Sequence, residues 1–170
     1  SRLYLVEGIP GSGKTTLALQ FLQEGVRKGE RVLYITLSET REELEVVAAS
    51  HGWSLAEVEI FEFNSAADVL GHGRDQTVLH SWEMELGETV RLIQDQVDKV
   101  QPKRIVFDSL SEMRLLAQDP LRYRRQILGL KQFFSGRDIT VLLVDDMTGA
   151  EVGQDSAMHS LCHGVITLER

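Results

Sequence analysis

The chain has 170 residues, 42% of them hydrophobic, which is enough to bury one core, so we expect a single α/β domain. The 18 basic and 26 acidic residues give a formal charge of -8, which makes nucleic acid an unfavourable partner. One cysteine excludes an intrachain disulfide, and no apolar run approaches the ~20 residues of a membrane span, so we expect a cytoplasmic chain without a membrane partner.

The first part of the chain alternates between strand and helix patterns. An apolar run predicts a buried strand over residues 3–6. Apolar residues at helical spacing then predict a helix over residues 13–28, which ends at Gly29. The run 31–37 is rich in β-branched and aromatic residues and predicts a second strand. These three elements form one βαβ unit.

A capping box predicts the start of the second helix. The hydroxyl of Thr40 can accept a hydrogen bond from the amide of Glu43, and the carboxylate of Glu43 can accept one from the amide of Thr40. We expect this helix to begin at residue 41 and to end near Gly52.

The middle of the chain is less regular. A third strand is expected over residues 60–63, and residues 64–86 are interpreted as mostly loop with a short strand at 77–80. An apolar helical face follows over residues 90–100, and residues 104–108 form a strand that ends in an acid.

The last third of the chain repeats the alternation. Asp119 followed by Pro120 is typical of a helix start, and Gly136 marks the end of that helix. Strands are expected over residues 140–144 and 165–168. The alternation predicts an α/β fold with a mainly parallel sheet and helices on both faces. Because Ser1 stands in place of an initiator Met and the last strand ends close to the terminus, we interpret the chain as a piece of a longer protein.

A glycine-rich segment between the first strand and the first helix has the spacing of a P-loop. Glycines let backbone amides approach phosphates, a lysine adds a positive charge, and the helix directs its positive end toward the ligand. The alternative, a chance glycine turn, does not account for the full motif in its strand-loop-helix context. The predicted ATP-binding residues are Gly8, Pro10, Gly11, Ser12, Gly13, Lys14, Thr15 and Thr16.

A magnesium ion is expected with the nucleotide. The hydroxyl of Thr15 is the predicted ligand from the loop, and Asp108, at the tip of a buried strand, is the predicted acid. The alternative for Asp108 is a strand-ending acid that caps the turn before Ser109.

Glu39 is the candidate catalytic base. It follows the second strand, at the edge of the sheet that carries the P-loop, where it could deprotonate an attacking water with Lys14 holding the phosphates. The alternative is an acid that favours the start of the helix capped by Thr40. Asp145 and Asp146 could compete as base or sense the terminal phosphate, but solvated loop acids are the commoner interpretation.

Other polar residues give weaker signals. The five histidines show no metal-ligand spacing, so a structural metal is not expected. Arg122, Arg124 and Arg125 could meet a neighbouring subunit or nucleic acid, although a solvated helix face is the commoner explanation.

These residues resemble the RecA superfamily of P-loop NTPases and, more closely, the KaiC-type ATPases. The resemblance is carried by residues 6–16, 34–40 and 106–110 and by the pairs Gly52-Trp53 and Arg124-Arg125. It implies that residues 1–170 form one RecA-like ATPase domain that binds ATP or ADP. It also implies ATP hydrolysis between the subunits of a homo-oligomeric ring, often a hexamer, that serves signalling or assembly.

The resemblance also implies roles for individual residues. Glu39 matches a catalytic glutamate, Asp108 the magnesium-associated acid, and Ser50 lies where the family approaches the adenine. The family often has two adjacent glutamates after the second strand, and this chain has Ser38 in the first place. We therefore expect hydrolysis to be slow or to depend on Glu39 alone.

Several alternatives stay open at this point. The chain could be a nucleotide-sensing assembly module without useful turnover, a RecA-like recombination factor, or a small-molecule P-loop kinase. Some KaiC-type domains phosphorylate their own Ser or Thr before the last strand, and Ser156 and Ser160 fall in that region.

Overall fold

The computed structural model describes residues 1–63, 81–147 and 156–169, and six strands in these ranges form one parallel sheet. The strand order is β3-β2-β4-β5-β1-β6, and each neighbouring pair is parallel. Because all six strands run the same way, their carboxyl ends lie at one edge of the sheet. The strands are β1 Arg2–Gly8, β2 Val32–Thr36, β3 Glu59–Glu62, β4 Arg104–Asp108, β5 Thr140–Asp146 and β6 Gly164–Leu168.

Helices cover both faces of this sheet, so the predicted α/β class with a mainly parallel sheet is confirmed. Helices α1 and α2 pack on one face, whereas α3, α4 and α5 pack on the other. The helices are α1 Lys14–Arg27, α2 Arg41–Ser50, α3 Ser81–Val100, α4 Leu110–Ala117, α5 Pro120–Phe134 and α6 Ser156–His159.

Two apolar cores lie on opposite faces of the sheet, since successive side chains of a strand point to opposite sides. On β2, Val32 and Tyr34 face the core under α1 and α2, while Leu33 and Ile35 face the core under α3 to α5. All four are at most 1% exposed. The continuous apolar run of β2 is therefore explained by burial on both faces.

Local capping signals place two helix starts where the sequence predicts them. Thr40 accepts from the amide of Glu43, and the amide of Thr40 donates to Glu43 Oε2 at 2.7 Å, which completes the capping box of α2. Asp119 accepts from the amide of Leu121 at 2.8 Å at the start of α5. Both caps satisfy amides that lack a partner within the helix.

On the second face, one prediction about the helices is wrong and one helix was not predicted. Helix α3 begins at Ser81, so residues 81–86 are helical and not loop. Helix α4 was not predicted, because it is only eight residues long and the Ser109 side chain makes no cap hydrogen bond. The predicted loop 64–80, with its short strand at 77–80, lies outside the described residues.

The last strand is attached to the first through a buried carboxylate. Glu7 is 7% exposed, and its Oε1 accepts from Thr167 Oγ1 at 2.9 Å. Its Oε2 lies 2.9 Å from Nε2 of His159, which ends α6. These contacts place the segment from α6 to β6 beside β1.

Within the described ranges, no helix has both the length and the apolar character needed to cross a membrane.

The packing of α1 gives a stability prediction. Leu19 is 0% exposed in the core between α1 and the sheet, whereas Leu121 on α5 is 74% exposed. We expect Leu19→Ala to lower the free energy of unfolding by ~2–5 kcal/mol, because it leaves a cavity. Leu121→Ala, the matched control, should change it by less than ~0.5 kcal/mol. Urea unfolding followed by circular dichroism measures both, and equal effects would contradict the described packing.

Candidate functional site

The loop between β1 and α1 depends on glycine backbone conformations. Gly11 has a φ of 78° and Gly13 a φ of 95°, both in the left-handed region that favours glycine. Gly13 directly precedes Lys14, the first residue of α1. The first amides of a helix have no partner within it, and this turn presents that end of α1 at the edge where β1 ends. The arrangement suits an anion such as a phosphate.

Gly8 is required by close packing rather than by its backbone angle. A Cβ atom on Gly8 would lie 2.6 Å from Ser12 Oγ and 2.7 Å from the carbonyl oxygen of Leu168. Among the described residues, Ser12 Oγ is buried without a hydrogen-bond partner. A buried hydroxyl in this state is unusual and leaves a donor available to a ligand.

Lys14 lies against the loop at the carboxyl edge of the sheet. Its side chain is 7% exposed, and Nζ donates to the carbonyl oxygens of Gly8 at 2.8 Å and Ile9 at 2.9 Å. Nζ also lies 2.8 Å from Oδ1 of Asp146. Asp146 is paired with Gly8 in the sheet, so the contact follows from the register of β1 and β5. The lysine charge is thus held at the mouth of the loop.

The other predicted loop residues lie in the turn and at the start of α1. Thr15 and Thr16 lie in the first turn of α1 and are half-buried, and Pro10 is exposed at the turn. The roles of Thr15 in metal binding and of Pro10 and Thr16 in ATP binding stay predictions.

Asp108 is buried at the end of β4, with 6% of its surface exposed. Its Oδ2 accepts a hydrogen bond from Tyr34 Oη at 2.6 Å. Burial raises the pKa of Asp108 above its usual value, and the Tyr34 hydrogen bond opposes that shift. Burial and the charge of Asp108 hold the pKa of Tyr34 well above its ordinary value, so the phenol acts as a neutral donor.

Glu39 follows β2 and is held by its backbone. The hydroxyl of Thr36 donates to the carbonyl oxygen of Glu39 at 2.8 Å and accepts from its amide at 2.9 Å. In the part of the chain that the structure describes, Glu39 Oε2 is buried with no hydrogen-bond partner. Thr40 and Glu43 make the helix cap, so the Glu39 side chain is not used as a capping group.

The environment of Glu39 raises its pKa to about 7. Burial is the main cause, and the charges of Asp108, Glu43 and Asp146 add to it, while Lys14 acts in the opposite direction. The charges of Asp108, Asp146 and Lys14 all act on the pKa of Glu39, so its carboxylate shares their electrostatic environment. A carboxylate with a pKa near neutrality can exchange a proton at physiological pH.

Asp145 is not a solvated loop acid, so that interpretation was wrong. Its side chain is 5% exposed and accepts from Arg114 Nη2 at 2.7 Å and Nη1 at 2.8 Å and from Ser111 Oγ at 2.7 Å. Both partners belong to α4, the helix that the sequence patterns did not predict. Asp146, which is 40% exposed, contacts Lys14 instead.

Among the described residues, Ser50 contacts residues of its own helix end and not the residues of the loop. It is exposed at the last position of α2, and its Oγ donates to the Val47 carbonyl at 2.7 Å and lies 3.0 Å from His51 Nδ1. The ring of His51 stacks on Trp53 with centroids 4.7 Å apart. The role of Ser50 near an adenine stays a prediction.

The acidic residues of the site suit magnesium better than a metal held by protein ligands alone. Over the described ranges, no group of three or more His, Cys, Asp or Glu side chains could hold a metal ion. Mg²⁺ typically uses one or two protein oxygens together with phosphates and water. Asp108, a buried carboxylate at the edge that carries the P-loop, fits that requirement.

Comparison with known proteins identifies the family. A family model described as "ATPase: KaiC" matches residues 1–170. The chain belongs to the KaiC ATPase family. The resemblance that the motifs indicated is therefore confirmed, and nucleotide binding is the property that this family implies.

Relatives of this KaiC-family chain include proteins of different lengths. A UPF0273 protein of Aeropyrum pernix is 28% identical over 155 residues, which cover 88% of this chain and 61% of that protein. Circadian clock protein KaiC3 of Synechocystis is 28% identical over 142 residues, which cover 84% of this chain and 28% of KaiC3. The chain thus spans about three fifths of the UPF0273 relative's length.

A solved structure shows the same fold. The KaiC-like protein of Pyrococcus horikoshii superposes with a TM-score of 0.75 at 24% identity, covering 98% of this chain and 70% of that protein. At this identity the similarity supports the architecture of the KaiC-family chain.

The raised pKa of Glu39 predicts how stability depends on pH. Between the ordinary glutamate value of 4.5 and about 7, the folded protein holds more protons on Glu39 than the unfolded chain. Stability contributed by this group therefore falls as pH rises through that range. We expect Glu39→Gln to remove the fall, so that the variant gains stability relative to the wild type as pH rises from 4.5 to 7.

Urea unfolding at a series of pH values measures this difference. Glu45→Gln, at an exposed position of α2, is the control and should run parallel to the wild type. A Glu39→Gln curve that also runs parallel to the wild type would show that Glu39 titrates as an ordinary glutamate.

Proposed function

We propose that this KaiC-family chain binds ATP with Mg²⁺ and hydrolyses it. The observation that carries the proposal is the convergence of Lys14, Asp108 and Glu39 at the carboxyl edge of the sheet. Lys14 contacts the glycine loop directly, and the charges of Lys14 and Asp108 both act on Glu39. A cation, a buried acid and a proton acceptor beside a phosphate-binding turn are the parts that hydrolysis of a nucleoside triphosphate needs.

The phosphates would lie in the turn formed by Gly8, Gly11 and Gly13. Ser12 Oγ and the first amides of α1 would donate to phosphate oxygens, and Lys14 would exchange its carbonyl contacts for the outer phosphates. Pro10, Thr15 and Thr16 complete the loop. Thr15 and Asp108 would hold Mg²⁺, directly or through water, and Ser50 would lie near the adenine. When bound, Mg²⁺ supplies positive charge that neutralises the phosphates and polarises the terminal phosphoryl group.

Glu39 is the proposed base. Its Oε2 has no partner among the described residues, and a pKa of about 7 leaves a substantial ionised fraction at neutral pH. The ionised oxygen can accept a proton from a water that attacks the terminal phosphate. The capping box of α2 is complete without Glu39, which favours this role over a contribution to the helix start.

A second candidate is a nucleotide-sensing assembly module that holds ATP without useful turnover. The same pKa of about 7 favours it, because the protonated fraction of Glu39 cannot act as a base. Ser38, where the family often has a further glutamate, points the same way. A RecA-like recombination factor is less well supported by the charge of -8.

A homo-oligomeric ring, such as a hexamer, is the proposed assembly in the cytoplasm. Arg124 and Arg125 are exposed on α5, where they are accessible to a neighbouring subunit. Sedimentation of the full-length protein with and without ATP tests the proposal, and a monomer under both conditions would contradict it.

Autophosphorylation belongs to the same family pattern. Ser160 is exposed just after α6, whereas the Ser156 side chain lies outside the described part. Mass spectrometry after incubation with ATP tests this activity, and no added phosphate on Ser156 or Ser160 would contradict it.

Two variants test the proposed hydrolysis. We expect Lys14→Ala to weaken ATP binding at least ~10-fold, because a charged phosphate contact is lost. Glu39→Gln should retain binding and lower steady-state phosphate release by ~10²–10⁴-fold, because the base is removed. Glu45→Gln, an exposed carboxylate on the same side of the sheet, should behave as the wild type.

The measurements are calorimetric ATP titration and phosphate release by the full-length protein with Mg²⁺. ATP binding without turnover above buffer would favour the nucleotide-sensing module. No binding of ATP or ADP by the wild type would contradict both functions.

A further inference from the structure

Tyr34 places a polar group in a part of the sheet that is otherwise apolar. The side chain is 0% exposed and belongs to the same apolar core as Val32 and Val106. A buried hydroxyl costs free energy unless it is hydrogen-bonded. The Tyr34 hydroxyl donates to Oδ2 of Asp108 at 2.6 Å, a distance typical of a strong bond between a hydroxyl and a carboxylate.

The register of the sheet explains how the two groups meet. Tyr34 is paired with Val106 on β4, and Asp108 follows two residues later, paired with Thr36. Side chains two residues apart on a strand share a face. Tyr34 belongs to the core under α1 and α2, so its ring runs along the sheet toward the carboxyl edge beneath the helix that the P-loop precedes.

The hydrogen bond from Tyr34 uses one of the two carboxylate oxygens of Asp108. Oδ2 is taken by Tyr34, and its geometry is fixed because both residues are buried and lie on paired strands. Among the described residues, the side-chain hydrogen bond of Asp108 is made through Oδ2, so Oδ1 is left for a metal ion or its water. A phenol on the neighbouring strand thus supports the acid from behind, as outer groups commonly do for residues that bind metals.

We infer that Tyr34 is a positioning residue that holds the Asp108 carboxylate for Mg²⁺ through the hydrogen bond between Oη and Oδ2. The inference rests on the proposed Mg²⁺–ATP site and adds a residue to it. Tyr34 acts on the metal alone, through Asp108, and not on the phosphates that the glycine loop and Lys14 hold. Removing the Tyr34 hydroxyl should therefore weaken nucleotide binding in the presence of Mg²⁺ and leave binding without Mg²⁺ unchanged.

Tyr34→Phe tests this, because it removes the hydroxyl and keeps the ring that fills the core. ADP affinity is measured by calorimetry on the full-length protein, once with Mg²⁺ and once with EDTA. We expect the affinity in EDTA to stay within ~2-fold of the wild type and the gain from Mg²⁺ to fall ~10-fold, since a hydrogen bond to a charged group is lost. Mn²⁺ binding to the ADP complex, followed by electron paramagnetic resonance, should weaken in parallel.

Two further variants keep the test specific. Tyr123→Phe removes a hydroxyl from another buried tyrosine, on α5, and should leave the gain from Mg²⁺ unchanged. Asp108→Asn should itself reduce the gain, and adding Tyr34→Phe to it should cause no further loss, because the two residues act as one unit.

The outcomes separate the inference from the function on which it rests. A wild-type protein whose ADP affinity does not respond to Mg²⁺ would overturn both. A wild type that responds, with Tyr34→Phe losing affinity equally in Mg²⁺ and EDTA, would show a merely structural role and overturn the inference alone. A Tyr34→Phe variant with an unchanged Mg²⁺ response would do the same.

Discussion

All six strands of the sheet run in the same direction, and this constraint gathers the ends of β1, β2, β4 and β5 at a single edge. The glycine loop follows β1, Glu39 follows β2, Asp108 ends β4 and Asp146 ends β5. These residues are far apart in the sequence, and the fold brings them together. In open parallel sheets, ligands bind outside the carboxyl ends of the strands, so the position of the site follows from strand direction.

Several carboxylates lie at that edge, and their contacts differ. Asp145 is paired with Arg114, Asp146 contacts Lys14, and Asp108 accepts from Tyr34. Glu39 Oε2 has no partner among the described residues, and burial together with the neighbouring negative charges raises the pKa of Glu39 to about 7. The carboxylate without such a contact is the one proposed as base, whereas Asp145 stabilises the packing of α4. Similar acids thus differ in chemistry because their neighbours differ.

Local patterns predicted the elements that depend on nearby residues. The capping box of Thr40 and Glu43 and the Asp119 cap lie where expected, since each needs only contacts within a few residues. Helix α4 was missed for the opposite reason, because its burial depends on contacts with β5 and with α3 and α5. Asp145 was consequently misread, since its partners Ser111 and Arg114 lie on that helix.

By itself, the sequence determined the fold class, the family resemblance and the candidate residues of the loop, because the P-loop and the alternation of strands and helices are local patterns. Only the tertiary structure decided the strand order, the contact of Lys14 with Asp146, the hydrogen bond of Tyr34 to Asp108 and the environment of Glu39. Tyr34 and Asp108 are separated by 74 positions in the sequence, and a contact between residues so far apart leaves no periodic pattern in the sequence. Their contact follows from which strands are neighbours and in which register they pair.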